Sequence, residues 1–119
     1  MLTQDGEVRW VGPHVVVTMP AEMDAVNADE VRHALLAAAS LGAAVLVIDM
    51  SGTTFCDSAG VGAIIATYQH IKQTRTQLRL VATAVVRILT LAGADKLIPI
   101  YPTLAAALAG PPAAEASPR

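Results

Sequence analysis

A hydroxyl, a carboxylate and a thiol come together in the run Thr53-Thr54-Phe55-Cys56-Asp57-Ser58-Ala59-Gly60. Such a set raises two kinds of nucleophilic chemistry. Ser58 could attack a carbonyl, or Cys56 could act as a thiol nucleophile. Both fit poorly. A serine hydrolase elbow reads Gly-x-Ser-x-Gly, but Cys56 stands at its first glycine, and only His70 follows as a base, inside a helix. Cys56 reads instead as a buried apolar cysteine, the commoner role of a lone thiol. Gly60-Val61-Gly62 lacks the third glycine of a dinucleotide loop, and no Gly-Lys-Ser/Thr marks a P-loop. His14, His33 and His70 are scattered and compose no metal set. Asp49 follows a strand as a response-regulator phospho-acceptor does, yet no acidic pair follows the earlier strand.

These residues sit between two elements that position them. Val45-Leu46-Val47-Ile48 is a short, β-branched apolar run, as in a strand buried on both faces. From Val61 the period changes: Val61, Ile64, Ile65, Tyr68 and Ile71 fall at helical spacing. Asp57 and Ser58 are the candidate N-caps of that helix, each with an oxygen that can accept its first free N–H groups. A serine there lies beside the positive end of the helix dipole. Ser58 therefore has a plain reading, a cap that contributes about 1 kcal/mol, beside the functional one. Gly60 and Gly62 allow close approach, either of a neighbouring element or of a partner.

The rest of the chain alternates strands and helices. Glu7–Val11 and Val15–Met19 read as strands joined by a Gly12-Pro13 turn. Asn27 and Glu30 have the spacing of a capping box, and Val31, Leu35, Ala38 and Leu41 give one apolar helical face ending near Gly42. Leu78, Leu80 and Ala82 alternate as in a strand. Lys72, Arg75 and Arg79 read as a solvated basic cluster. A short helix follows from Val85 to Ala92, then an edge strand near Pro99, then a helix capped by Thr103 and ending at Ala109. The pattern predicts an α/β fold with a mostly parallel sheet of about five strands, an N-terminal hairpin and about four helices. Residues 1–110 form the domain, and 111–119 are a small-residue, proline-rich tail. Asp24 and Ser58, each following a strand, are expected on the same edge of the sheet, where such folds meet ligands and partners.

Composition narrows the function. The chain has 119 residues, 54% hydrophobic but only 3% aromatic, so a core of Ala, Val, Leu and Ile is expected. A formal charge of −2 gives no electrostatic footprint for nucleic acid or anionic lipid. One cysteine excludes an internal disulfide. The acidic and polar N-terminus has no signal-peptide core; Ala34–Ile48 is too short to cross a membrane, and Leu97–Ala114 is broken by four prolines. These features lead to an expectation of a soluble, cytoplasmic protein.

The segment Asp-Ser-Ala-Gly-Val-Gly at 57–62, after Val-Leu-Val-Ile-Asp-Met-Ser at 45–51 and Phe55, resembles the core motif of STAS domains, especially bacterial anti-sigma factor antagonists. The resemblance extends to about Leu108. It implies a STAS fold and a binding role rather than an enzyme, with no cofactor and no metal. It implies partner switching: the antagonist binds an anti-sigma factor that is also a serine kinase, is phosphorylated by it with ATP and magnesium, and is restored by a serine phosphatase. Ser58 matches the phosphorylated serine. Ala21-Glu22-Met23-Asp24 is similar to the family's Gly-Glu-hydrophobic-Asp segment, which makes Asp24 a candidate contact to the kinase; a turn residue before the helix is the other reading. Thr54 matches a second phospho-acceptor of some relatives. Thr54, Phe55, Asp57, Ser58, Gly60 and Gly62 complete the implied partner surface, with Asp57 also a structural cap. Ala21 departs from the usual glycine, and the glycine-proline loop common after the strand ending near Val81 is missing. Two alternatives remain, a STAS subunit of a lipid or anion transport complex and a serine hydrolase using Ser58.

Overall fold

The structure, a computed structural model, describes residues 7–110, so the expected tail at 111–119 lies outside the described residues. The element order is β1 (Val8–Val11), β2 (His14–Thr18), β3 (Glu22–Met23), α1 (Ala28–Ala39), β4 (Val45–Met50), β5 (Phe55–Cys56), α2 (Ser58–Ile71), β6 (Gln77–Ala82), α3 (Val86–Leu91), a 3-10 turn (Ala94–Lys96), β7 (Ile100–Tyr101) and α4 (Leu104–Ala109). Five strands form one sheet in the order β1-β2-β4-β6-β7. The β1–β2 hairpin is antiparallel and the other pairings are parallel. This is the α/β fold with an N-terminal hairpin that the alternation of periods predicts.

Every residue of β4 is buried, because helices cover both of its faces. Leu46, Ile48 and Met50 face α1, α2 and α3 in a large core with Leu35, Ile64 and Leu89. Val45 and Val47 face the opposite way, into a small core with Val16, Val81, Tyr101 and Ala107 of α4. Each fully buried large aliphatic side chain contributes about 1.5–3 kcal/mol. The larger core is therefore the one that fixes where α1 and α2 stand.

Three expectations need correction. Arg79 is not on a solvated face: it is 6% exposed. The alternation of β6 turns Leu78 and Leu80 toward the large core and Arg79 toward α4, where its Nη1 donates to the Ala107 carbonyl at 2.6 Å and Nη2 to Gln77 Oε1 at 3.2 Å. Its guanidinium also lies over the Tyr101 ring. Second, Asn27 stands at the N-cap of α1 but makes no side-chain cap, so no capping box forms. Its amide is engaged upstream, donating to the Glu22 carbonyl at 2.8 Å and accepting from the Asp24 N–H at 3.0 Å. Third, α1 ends at Ala39, and Leu41 beyond it is exposed rather than part of the apolar face.

Candidate functional site at the start of helix α2

Two short strands that the sequence pattern does not announce assemble the site. Glu22 and Met23 of β3 pair in parallel with Phe55 and Cys56 of β5, as a ladder separate from the main sheet. The loop before β5 is tied down as well. Thr53 Oγ1 donates to the Pro20 carbonyl at 2.8 Å, and the Thr54 N–H to the Ala21 carbonyl at 2.8 Å. The Asp57 N–H then donates to the Met23 carbonyl at 3.0 Å. Asp24 and Asp57 thus leave the two strands side by side, and the expected meeting of Asp24 with the Ser58 loop is realised through this small ladder.

Asp57 is the N-cap of α2. Its Oδ1 accepts from the Ala59 N–H at 2.9 Å and the Gly60 N–H at 3.2 Å. Of the two candidate caps the aspartate therefore takes the role, and Ser58 becomes the first residue of the helix. Ser58 is exposed, and its hydroxyl makes no hydrogen bond among the described residues. The Thr54 hydroxyl, also exposed, already donates to Ala21 O at 3.3 Å. Asp24 is half-buried, and its Oδ1 accepts from the Val26 N–H at 3.0 Å in a local turn.

The two glycines differ. A methyl group at Gly60 would lie 2.8 Å from Cys56 Sγ and 2.8 Å from the Met23 carbonyl oxygen, so this glycine lets α2 press against the β3–β5 ladder. At Gly62 a methyl would meet nothing within 4 Å. Packing explains Gly60 and leaves Gly62 as an open notch. Cys56 lies against Gly60, 6% exposed, and burial followed by the Asp57 charge pushes its thiol up to about 11. A thiol so protonated is no nucleophile near neutral pH. His70 lies in the last turn of the same helix, twelve residues from Ser58 and about 18 Å away at 1.5 Å per residue, so it cannot serve Ser58 as a base.

The remaining site residues fall on two flanks. Ala59 and Gly62 line a cleft of about 280 Å³ with Ala28, Asp29 and Arg32 of α1. Thr54 and Phe55 face the other way, into a cleft of about 330 Å³ with Arg87, Ile88 and Leu91 of α3. Phe55 is 49% and Leu91 71% exposed. Arg32, Arg87 and Leu91 were not anticipated. Their signal in the sequence is an apolar residue and two cations standing off the apolar faces of α1 and α3. No helix among the described residues is long and apolar enough to cross a membrane.

Residues 6–107 match the STAS domain family. The chain belongs to that family. A comparison with curated protein sequences found no match. Among solved structures, an anti-sigma factor antagonist from Mycobacterium paratuberculosis is 32% identical, with a TM-score of 0.81 over 92% of this chain and 97% of that one. An anti-sigma-factor antagonist (STAS) domain protein from Planctomyces limnophilus is 21% identical, with a TM-score of 0.79 over 91% of this chain and 98% of that one. The Bacillus cell fate determinant SpoIIAA in its phosphorylated form is 18% identical, with a TM-score of 0.65 over 87% and 96% of the two chains. The last two likenesses speak to the fold alone. As a STAS domain, this chain puts its family motif on the β5–α2 junction.

Proposed function

We propose that this STAS domain is an anti-sigma factor antagonist: it binds an anti-sigma factor that is a serine kinase, and phosphorylation of Ser58 ends the complex. A serine phosphatase resets it. The observation that carries the reading is the state of the Ser58 hydroxyl, exposed and free of hydrogen bonds on a turn whose other groups are engaged. The 32% identical antagonist, matched over nearly its whole length, supports the same role.

The physical basis is electrostatic. A phosphoryl group adds about −1.5 to −2 charges and three strong acceptors. Helix N-termini welcome such charge, but here the Asp57 carboxylate already holds the Ala59 and Gly60 N–H groups. A phosphate on Ser58 therefore finds these two donors occupied and a carboxylate beside it. It stays hydrated and outward. A partner docked on this rim must desolvate a dianion or leave, while the domain beneath keeps its packing.

Ser58→Glu is expected to weaken binding to the kinase by about 2–3 kcal/mol in calorimetry. Ser58→Ala is expected to bind but to take no phosphate from the kinase and ATP. Wild-type affinity in the glutamate variant would overturn the charge argument, and mass spectrometry finding the phosphate on Thr54 would move the site.

A further inference from the structure

The two edges of the main sheet are finished differently. At one edge β7 is two residues long, between Pro99 and Pro102, and offers little to pair with. The other edge is β1, four residues in regular register with β2, and nothing among the described residues pairs with its outer side. It carries no proline and no bulge. It does carry Val8, 43% exposed, and Trp10, 53% exposed, both on the face that α1 and α2 cover further in.

The hydrogen-bond phase of this edge is determined. The Thr18 N–H donates to the Glu7 carbonyl at 2.8 Å, so the backbone groups of Glu7, Arg9 and Val11 turn toward β2. Those of Val8 and Trp10 turn outward. The outer side is thus a preformed half-ladder flanked by apolar side chains. On the opposite face of the strand stand Glu7 and Arg9, both exposed and in no ion pair among the described residues.

We propose that β1 is the contact through which two copies of this chain associate, antiparallel about a two-fold axis, to continue one sheet across both. Charge selects the register. With Val8 opposite Val8 of the second copy, Glu7 of each chain faces Arg9 of the other, and Trp10 reaches diagonally over the opposing Val8. Slipping the pairing so that Arg9 falls on the axis sets Arg9 against Arg9. The interface uses one short strand from each chain and belongs to the small, transient class. It runs along the side of the main sheet, whereas Ser58 follows β5 of the separate β3–β5 ladder, so association leaves the β5–α2 rim open.

Sedimentation velocity of the purified chain, diluted from millimolar downward, tests this with no kinase or phosphate present. A concentration-dependent monomer–dimer equilibrium is expected, accompanied by a blue shift of the single tryptophan, Trp10. Arg9→Glu sets like charges opposite each other twice and is expected to weaken the dimer by about 10-fold or more. The exchange Glu7→Arg with Arg9→Glu restores complementarity and is expected to recover the affinity to within about 3-fold. A chain that stays monomeric throughout, or a dimer that Trp10→Lys and the single Arg9→Glu change leave unmoved, overturns the proposal. Because both charged residues are exposed, circular dichroism of the variants should match the parent.

Discussion

The inner and outer sides of the first turn of α2 are two residues apart in sequence and opposite in physics. On the inner side Gly60 is pressed onto Met23 and Cys56, with no room for a methyl group. On the outer side Ser58 and Gly62 are exposed, and the space above Gly62 is open. A switch needs both. In the proposed switch the inner lock would hold the turn in place for the kinase, and the open side would accept a bulky charged group without disturbing the lock. The contrast also separates residues kept for packing from residues available to a partner, which a list of motif positions does not.

The sharpest way to break the comparison is the same substitution on each side. Gly60→Ala gains about 1 kcal/mol of helix propensity, but its methyl meets backbone oxygen and sulfur at 2.8 Å. Overpacking typically costs about 1–3 kcal/mol and more where backbone must move. A net loss of about 1–2 kcal/mol in urea denaturation is expected, more if backbone must shift, and no loss would mean that α2 is not pressed on the ladder.

The next prediction concerns the thiol under the lock. At pH 8 a thiol at about 11 holds about 100-fold less thiolate than one at 9.0. Alkylation of Cys56 in the folded chain should be slower than in urea by at least that factor. The folded thiol titrates above the unfolded one, so the stability linked to its neutral form is complete below pH 9.0 and is lost as the pH rises toward 11. Equal alkylation rates would show that the inner side opens readily.

How far sequence alone revealed this arrangement depends on the range of each contact. Asp57 and Ser58 are legible because a cap is local: an oxygen two or three residues ahead of the N–H groups it accepts. The β4 run is legible because a strand covered on both sides must be apolar throughout. The β3–β5 ladder is not legible, since two residues per strand carry no period. Yet it is what brings Asp24 beside Asp57. Arg79 misleads for a related reason. Its place on the second face of β6 is unremarkable until α4, mostly alanine, covers that face and supplies the Ala107 carbonyl. Asn27 had the right spacing for a cap, but its amide found the Glu22 carbonyl and the Asp24 N–H instead.

Asp57 stands at the border between the two sides. Removing its carboxylate by Asp57→Ala frees the Ala59 and Gly60 N–H groups and should cost about 1 kcal/mol of stability. It also removes the charge nearest Ser58 in the chain and vacates the two donors it held. A Ser58 phosphate could then take them, so phosphorylation should stabilise the Asp57→Ala chain more than the parent in thermal melts. Equal shifts would mean that Asp57 does not keep the phosphate turned outward.

The smallest effect on stability is expected at Gly62, and it is informative because of its sign. Gly62→Ala meets nothing within 4 Å, so no overpacking offsets the helix-propensity gain of about 0.5–1 kcal/mol. The variant should be slightly more stable than the parent, where Gly60→Ala is clearly less so. Its methyl projects into the cleft shared with Ala28 and Arg32, on the side proposed for the kinase. If that cleft is in the interface, the more stable variant binds the kinase less tightly in calorimetry. If affinity is unchanged, the contact surface lies toward Phe55 and α3 instead, and the outer side of the turn serves to expose Ser58 rather than to seat a partner.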